Sequence, residues 1–145
     1  MKNKIRRMTE GDRDAVLDMM RVFYASPAVL SNGSDEIFNS DIDNCLSNSP
    51  YVEGFIFESD DGIQGYGMIA KSFSTEFGKP CIWIEDIYVK EKYRGLGIGS
   101  AFLNYIENSF PDCILRLEVE DDNERAMYVY KKCGFDILPY TEMKK

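Results

Sequence analysis

The chain has 145 residues, 44% hydrophobic and 13% aromatic, with 25 acidic against 17 basic residues and a formal net charge of −8. This length and apolar content fit one domain over residues 1–145 with a single core and exclude a disordered tail. The acidity argues against a nucleic-acid partner, which needs a basic face, and suits attraction of small cations.

In chain order, Met1–Arg7 is basic, but no apolar h-region follows it, so no secretory signal is expected. A short strand is predicted at Ile5–Met8. Thr9 then caps a helix over about Glu10–Ala25, whose apolar stripe is Ala15, Val16, Met19, Met20 and Phe23. Ser26-Pro27 ends it, because proline disfavours helix before itself. A second helix is predicted over about Asp35–Leu46, with Ile37, Phe38, Ile42 and Leu46 on one side and four carboxylates, Asp35, Glu36, Asp41 and Asp43. Val52–Glu58 and Gly65–Ser74 read as strands joined by the turn Ser59-Asp60-Asp61-Gly62. Cys81–Val89 is the central strand. A glycine-rich turn follows, then a helix to about Phe110, a strand alternating over Cys113–Glu120, a helix over about Glu124–Cys133 ended by Gly134, and a last strand at Phe135–Leu138. The β–α–β unit around the glycine turn requires parallel strands and a right-handed crossover, within a sheet otherwise rich in hairpins. No run of about 18 apolar residues could cross a bilayer, so no membrane partner is expected.

Two features of this string bear on chemistry. The first is Arg94-Gly95-Leu96-Gly97-Ile98-Gly99, placed between the central strand and a helix and preceded by Lys90 and Lys92. Glycines at this spacing form a tight turn that a ligand can approach closely, and the free N–H groups of the helix start suit a phosphate or pyrophosphate. The run is not a P-loop, and its Gly-x-Gly-x-Gly spacing differs from the dinucleotide fingerprint, although Glu118 lies near the distance expected of a ribose-binding acid. The second feature is the absence of histidine. This removes Ser-His and Cys-His nucleophiles and His-ligated metals, so acid–base work falls to carboxylates, tyrosine, lysine or water. Cys45, Cys81, Cys113 and Cys133 are scattered without a Cys-x-x-Cys, which predicts reduced thiols in the cytoplasm and no metal site.

The glycine turn after Asp86-Ile87-Tyr88-Val89 resembles the acyl-CoA signature of the GNAT superfamily of N-acetyltransferases. Asn123-Glu124-Arg125-Ala126-Met127-Tyr128-Val129-Tyr130-Lys131-Lys132-Cys133-Gly134-Phe135 is similar to that superfamily's closing pattern, with an Asn, an Ala three on, a Tyr four further and Gly-Phe. The resemblance implies an α/β (α+β) fold, with a mixed, mostly antiparallel central sheet of about six to seven strands, four flanking helices and a β–α–β acyl-CoA-binding unit. It also implies acetyl-CoA as the acyl donor. Its pyrophosphate would lie on the amides of Leu96, Gly97, Ile98, Gly99 and Ser100 beside Arg94 and Gly95, and its pantetheine arm along Ile87, Tyr88 and Val89. Asn123, Ala126 and Tyr130 would complete the donor site.

Direct attack by an amine requires loss of the ammonium proton, a donor to the developing oxyanion and a proton for the departing thiolate. The resemblance assigns the last role to Tyr130, which could otherwise be an aromatic on the helix's apolar stripe. Glu85 is the candidate base, directly or through water, because a carboxylate in an apolar strand is costly to bury and gains proton affinity there. An ion pair with Arg116 is the structural alternative. The amide of Tyr88 or Val89 is the candidate oxyanion donor. By strand alternation, Asp86 faces away from Glu85 unless a bulge intervenes. The acidic second helix favours a small cationic amine such as a polyamine as acceptor. A protein N-terminus or lysine, a non-catalytic acyl-CoA-binding module and a homodimer stay open.

Overall fold

The computed structural model describes residues 3–145; Met1 and Lys2, the start of the basic N-terminal stretch, lie outside the described residues. Five strands form one sheet in the order β1-β2-β3-β4-β5, with β1 at Lys4–Arg7, β2 at Val52–Ser59, β3 at Gly62–Ser74, β4 at Lys79–Val89 and β5 at Ile114–Leu117. The first four strands pair antiparallel, and β4 pairs parallel with β5 across the helix α3 (Ile98–Ser109) that joins them. This is the expected β–α–β unit.

The strand count is five rather than six to seven. Phe135–Leu138 forms no strand, because its first backbone donor is used in ending the preceding helix, α4 (Glu124–Lys132). There Gly134 has φ 97°, and the Phe135 N–H donates to the Tyr130 carbonyl at 3.0 Å. Pro139 follows four residues on, without an N–H to donate. The strand expected over Cys113–Glu120 shortens to Ile114–Leu117 because the chain leaves the sheet at Glu118.

Helices cover both faces. On one, α1 (Arg13–Tyr24) and α2 (Asp35–Leu46) pack Val16, Met20, Phe38 and Ile42 against Tyr66, Met68 and Tyr88 of the sheet. The α2 stripe is Phe38, Ile42 and Cys45; Ile37 faces outward at 52% exposure. On the other face, Phe102, Leu103 and Ile106 of α3 meet Phe55, Phe57, Ile69, Ile82 and Ile84, with Tyr130 of α4 and Cys133 just past its end against the same cluster. Fully buried side chains such as Phe57 and Phe102 each contribute about 2–3 kcal/mol. Asp12 initiates α1 by accepting the Thr9 N–H at 2.8 Å, while Arg6 forks onto its two oxygens at 2.8 and 2.9 Å. That guanidinium holds the Asp12 carboxyl below its usual range.

Candidate active site

The site is built on a break in the regularity of β4. Opposite β3, Asp86 pairs with Met68 and Ile84 pairs with Ile69, so Glu85 has no partner and forms a bulge. The extra residue reverses the alternation of the strand. Ile82 and Ile84 face α3, and so do Ile87 and Val89, while Asp86 and Tyr88 turn towards α1 and α2. At the same point β4 loses its other neighbour, because pairing with β5 ends at Ile84 opposite Leu117. The two parallel strands diverge and leave a cleft of about 590 Å³. Ile84–Ile87 line one wall and Leu117–Asp121 the other, with Tyr24 and Tyr130 at its sides.

Beyond the bulge, the backbone of β4 sorts itself. The Lys90 N–H donates to Gln64 of β3 at 2.8 Å, so by alternation Tyr88 also points its N–H and carbonyl towards β3, and Ile87 and Val89 point theirs to the open edge. The Tyr88 carbonyl approaches Gly65 so closely that a Cβ there would collide with it. The sequence candidates Ile87, Tyr88 and Val89 thus divide. Two present free-edge backbone, and the third is committed to the sheet through its backbone and to the α1 core through its ring. Arg94 takes the Val89 carbonyl through Nε at 2.8 Å, leaving the Val89 N–H and both Ile87 groups on the edge.

The glycine turn continues from that edge. Gly95 and Gly97 have φ 78° and 79°, a conformation that side chains with a Cβ resist. Gly97 is the N-cap of α3, and Ile98, Gly99 and Ser100 are its first turn, so their N–H groups lie ahead of the first helical bond, Ala101 N–H to Gly97 carbonyl at 2.9 Å. The Ile98 side chain is buried, whereas Leu96 is 63% exposed. Asn123 caps α4, its Oδ1 accepting the Ala126 N–H at 3.2 Å, and both residues line the cleft. Arg125, which the motif comparison passed over, brings its guanidinium 3.6 Å from where a Cβ on Gly95 would stand. A cation in the first turn of a helix opposes the helix dipole. This one stands beside the start of α3 instead.

The rest of the cleft is acidic. Solvent reaches Glu85, yet the walls crowd it. That partial burial, followed by the charges of Asp86, Glu142 and Asp41, pushes its carboxyl above the ordinary range. Glu85 makes no ion pair among the described residues; Arg116, its sequence alternative, lies over the Trp83 ring at 4.6 Å. Glu142 stands beside Glu118 and holds its carboxyl up at about 7, and both line the cleft walls. Asp86 is 4% exposed, its two oxygens accepting hydrogen bonds from Tyr24 Oη and Tyr66 Oη, both at 2.8 Å. A second cleft of about 370 Å³ opens on the α2 side and shares Tyr24, Glu85 and Asp86 with the first.

Of the four α2 carboxylates, only Asp41 lines that cleft. Asp35 pairs with Arg21, Asp43 pairs with Arg13, and Glu36 is exposed. Burial and then Asp86 raise Asp41 to about 6. Tyr130 lines the cleft between β4 and β5, and burial lifts its phenol above the usual range, so it carries its proton at neutral pH.

Residues 16–135 match the acetyltransferase (GNAT) family. The thialysine N-epsilon-acetyltransferase of Bos taurus is 45% identical over 83 residues, covering 55% of this chain, and the match spans about half (48%) of that protein. The protein of the same name from Sus scrofa is 32% identical over 151 residues, covering 95% of this chain and 86% of its own length. Among solved structures, a possible acetyltransferase from Clostridium difficile 630 superposes with a TM-score of 0.85 at 19% identity, covering 100% of this chain and 97% of its own. Glucosamine-6-phosphate N-acetyltransferase from Arabidopsis thaliana gives 0.73 at 18% identity, with coverages of 100% and 99%. At these identities the superpositions speak for the fold alone, while the family match covers most of the sequence. The chain belongs to the GNAT family of acetyltransferases.

Proposed function

We propose that this protein transfers the acetyl group of acetyl-CoA to a small cationic primary amine. One observation carries the reading. Where β4 parts from β5, a carboxylate on a bulge and a protonated tyrosine line a single cleft that continues the open edge of β4. When bound, acetyl-CoA supplies a thioester activated towards attack. The residues fit this donor: the unpaired N–H groups of Ile98, Gly99 and Ser100 stand beside Arg94 and Arg125, where phosphates are favoured. The open-edge groups of Ile87 and Val89 offer strand-like hydrogen bonds to an amide-bearing arm.

Glu85 accepts the proton of the incoming ammonium, directly or through one water, and its raised proton affinity suits removal near neutral pH. The Val89 N–H faces the open edge and donates to the oxygen on which negative charge develops; the Tyr88 N–H is used by β3. Tyr130 returns a proton to the leaving sulfur. The acceptor is attracted by Glu85, Asp41, Asp86 and the Glu118–Glu142 pair, with no cation among the residues lining either cleft. The name of the mammalian relatives supports a small amine of this type. Four free cysteines, two of them buried, support a reducing cytoplasmic setting, and no helix among the described residues is long and apolar enough to cross a membrane.

Thiol release from acetyl-CoA, measured across thialysine, spermidine, glucosamine 6-phosphate and a lysine-containing peptide, tests the assignment. Thialysine or spermidine should be turned over with the highest kcat/KM. Preference for the peptide would reassign the acceptor to protein amines, and absence of thiol release with binding of CoA intact would leave an acyl-CoA-binding module.

A further inference from the structure

Asp86 is the most buried carboxylate of the molecule among the described residues, and it has no cation. A carboxylate so enclosed normally has an ionic partner or takes up a proton. Here two phenols supply the compensation: Tyr24 from the last turn of α1 and Tyr66 from β3 each donate to a separate oxygen at 2.8 Å. Burial raises the Asp86 carboxyl above the ordinary range, and the two phenol hydrogen bonds, which favour the charged form, offset part of that rise. The three side chains tie α1, β3 and β4 together at the residue next to the bulge. Without that anchor, a one-residue slip would restore regular pairing and turn Glu85 out of the cleft.

The groups that face Glu85 are few and mostly anionic. They are Asp86 on its own strand, Asp41 from α2, Glu118, Glu120 and Asp121 from the segment beyond β5, Glu142 from the segment beyond α4, and the phenols of Tyr24 and Tyr130 from α1 and α4. Asp86 is the one of these carboxyls held by two phenol hydrogen bonds, whereas Asp41 and Glu118 are raised to about 6 and about 7.

We propose that Asp86, clamped by Tyr24 and Tyr66, is a positioning residue of the reaction: it holds the bulge that aims Glu85 into the cleft and sets a second carboxyl directly beside that base. The inference rests on the reading of Glu85 as the base. The balance is simple. Glu85 gains the proton that the ammonium loses, and Asp86 exchanges none.

The test is the pH profile of kcat/KM by thiol release, using acetyl-CoA and whichever of thialysine and spermidine turns over faster. The wild type should show a rate rising with pH as Glu85 ionises. Removing the neighbouring charge in Asp86→Asn should move that rise to lower pH by roughly half a unit or more. Tyr24→Phe removes one of the two donors that favour the ionised form of Asp86 against its burial, so the charge beside Glu85 weakens and the rise should move the same way by a smaller step. Displacement in the same direction, larger in Asp86→Asn than in Tyr24→Phe, is the signature. A purely structural role would lower the rate in both variants and leave the rise at its wild-type pH, which overturns the proposal. Should Asp86→Asn fail to fold, Tyr24→Phe decides alone, because its side chain is only half-buried. Glu85→Gln separates the two layers of the argument. If it keeps the rise, Glu85 is not the base; if it loses the rise while Tyr24→Phe leaves it unmoved, the base stands and the role of Asp86 falls.

Discussion

The proposed donor and acceptor ends of the site are made of different materials. At the donor end the ligand-facing groups are largely backbone: three N–H groups at the start of α3 and the free edge of β4, with Arg94 and Arg125 beside them. At the acceptor end they are side-chain carboxylates: Glu85, Asp41, Glu118 and Glu142, with Asp86 buried behind Glu85. A chain with a net charge of −8 thus concentrates cations where phosphates would lie and anions where an ammonium would lie. A backbone site recognises a constant chemical group and needs only a turn of the right shape. A carboxylate site draws on whichever elements happen to surround it, and its charge depends on pH.

The junction between the ends is where the largest effect is expected. Tyr130→Phe keeps the ring packed against Phe135, whose centroid is 6.1 Å away, and removes only the hydroxyl. Turnover should fall roughly 10²-fold with CoA affinity almost unchanged. A variant with wild-type kcat would make Tyr130 a packing residue and leave the thiolate to be protonated by water. The donor end should respond in the opposite sense. A Cβ on Gly99 meets only the Ile87 Cδ1 at 3.7 Å, and its φ is not in the left-handed region, so Gly99→Val should fold. Its branched side chain would stand among the N–H groups of the α3 start and should weaken CoA binding more than tenfold, about 1.4 kcal/mol, as read by calorimetry. Full affinity in the folded variant would move the phosphates elsewhere. Gly97→Val is a poorer test, because φ 79° would strain the turn whether or not a ligand binds there.

The same contrast explains what could be read without coordinates. The donor end occupies two continuous segments, Ile87–Ser100 and Asn123–Phe135, and local rules govern both: glycine at positive φ, asparagine at a helix N-cap, glycine at a helix end. The acceptor end takes Tyr24, Asp41, Tyr66 and Asp86 from four elements and Glu118 and Glu142 from two segments outside them, and no local pattern joins them. Asp41 stood among four similar carboxylates on α2, and only packing against β3 and β4 distinguishes it. The bulge at Glu85 was legible as a conflict, two acids in an apolar strand, but its location depends on the register with β3. The expected last strand failed for a related reason: Phe135–Leu138 has apolar residues of strand type, but no neighbouring edge pairs with them.

The smallest effect, and the most specific to the acceptor end, concerns Asp41. If long-range attraction draws in the amine, its KM should rise with ionic strength, since about 10 Å of screening at 0.1 M salt covers the approach to an open cleft. Asp41→Asn should raise KM a few-fold and remove part of that salt dependence, whereas Asp35→Asn should do neither, because Arg21 already neutralises Asp35 at 2.9 Å. The sign with pH follows from burial and from Asp86, which raise the Asp41 carboxyl to about 6. Its charge is present above that pH and lost below it, so the advantage of wild type over Asp41→Asn in KM should shrink as the pH falls through 6. The measurement is initial rates at two salt concentrations on each side of that pH. Equal salt dependence for wild type and Asp41→Asn above pH 6 would place the attraction at Glu118 and Glu142 instead, on the opposite wall from α2.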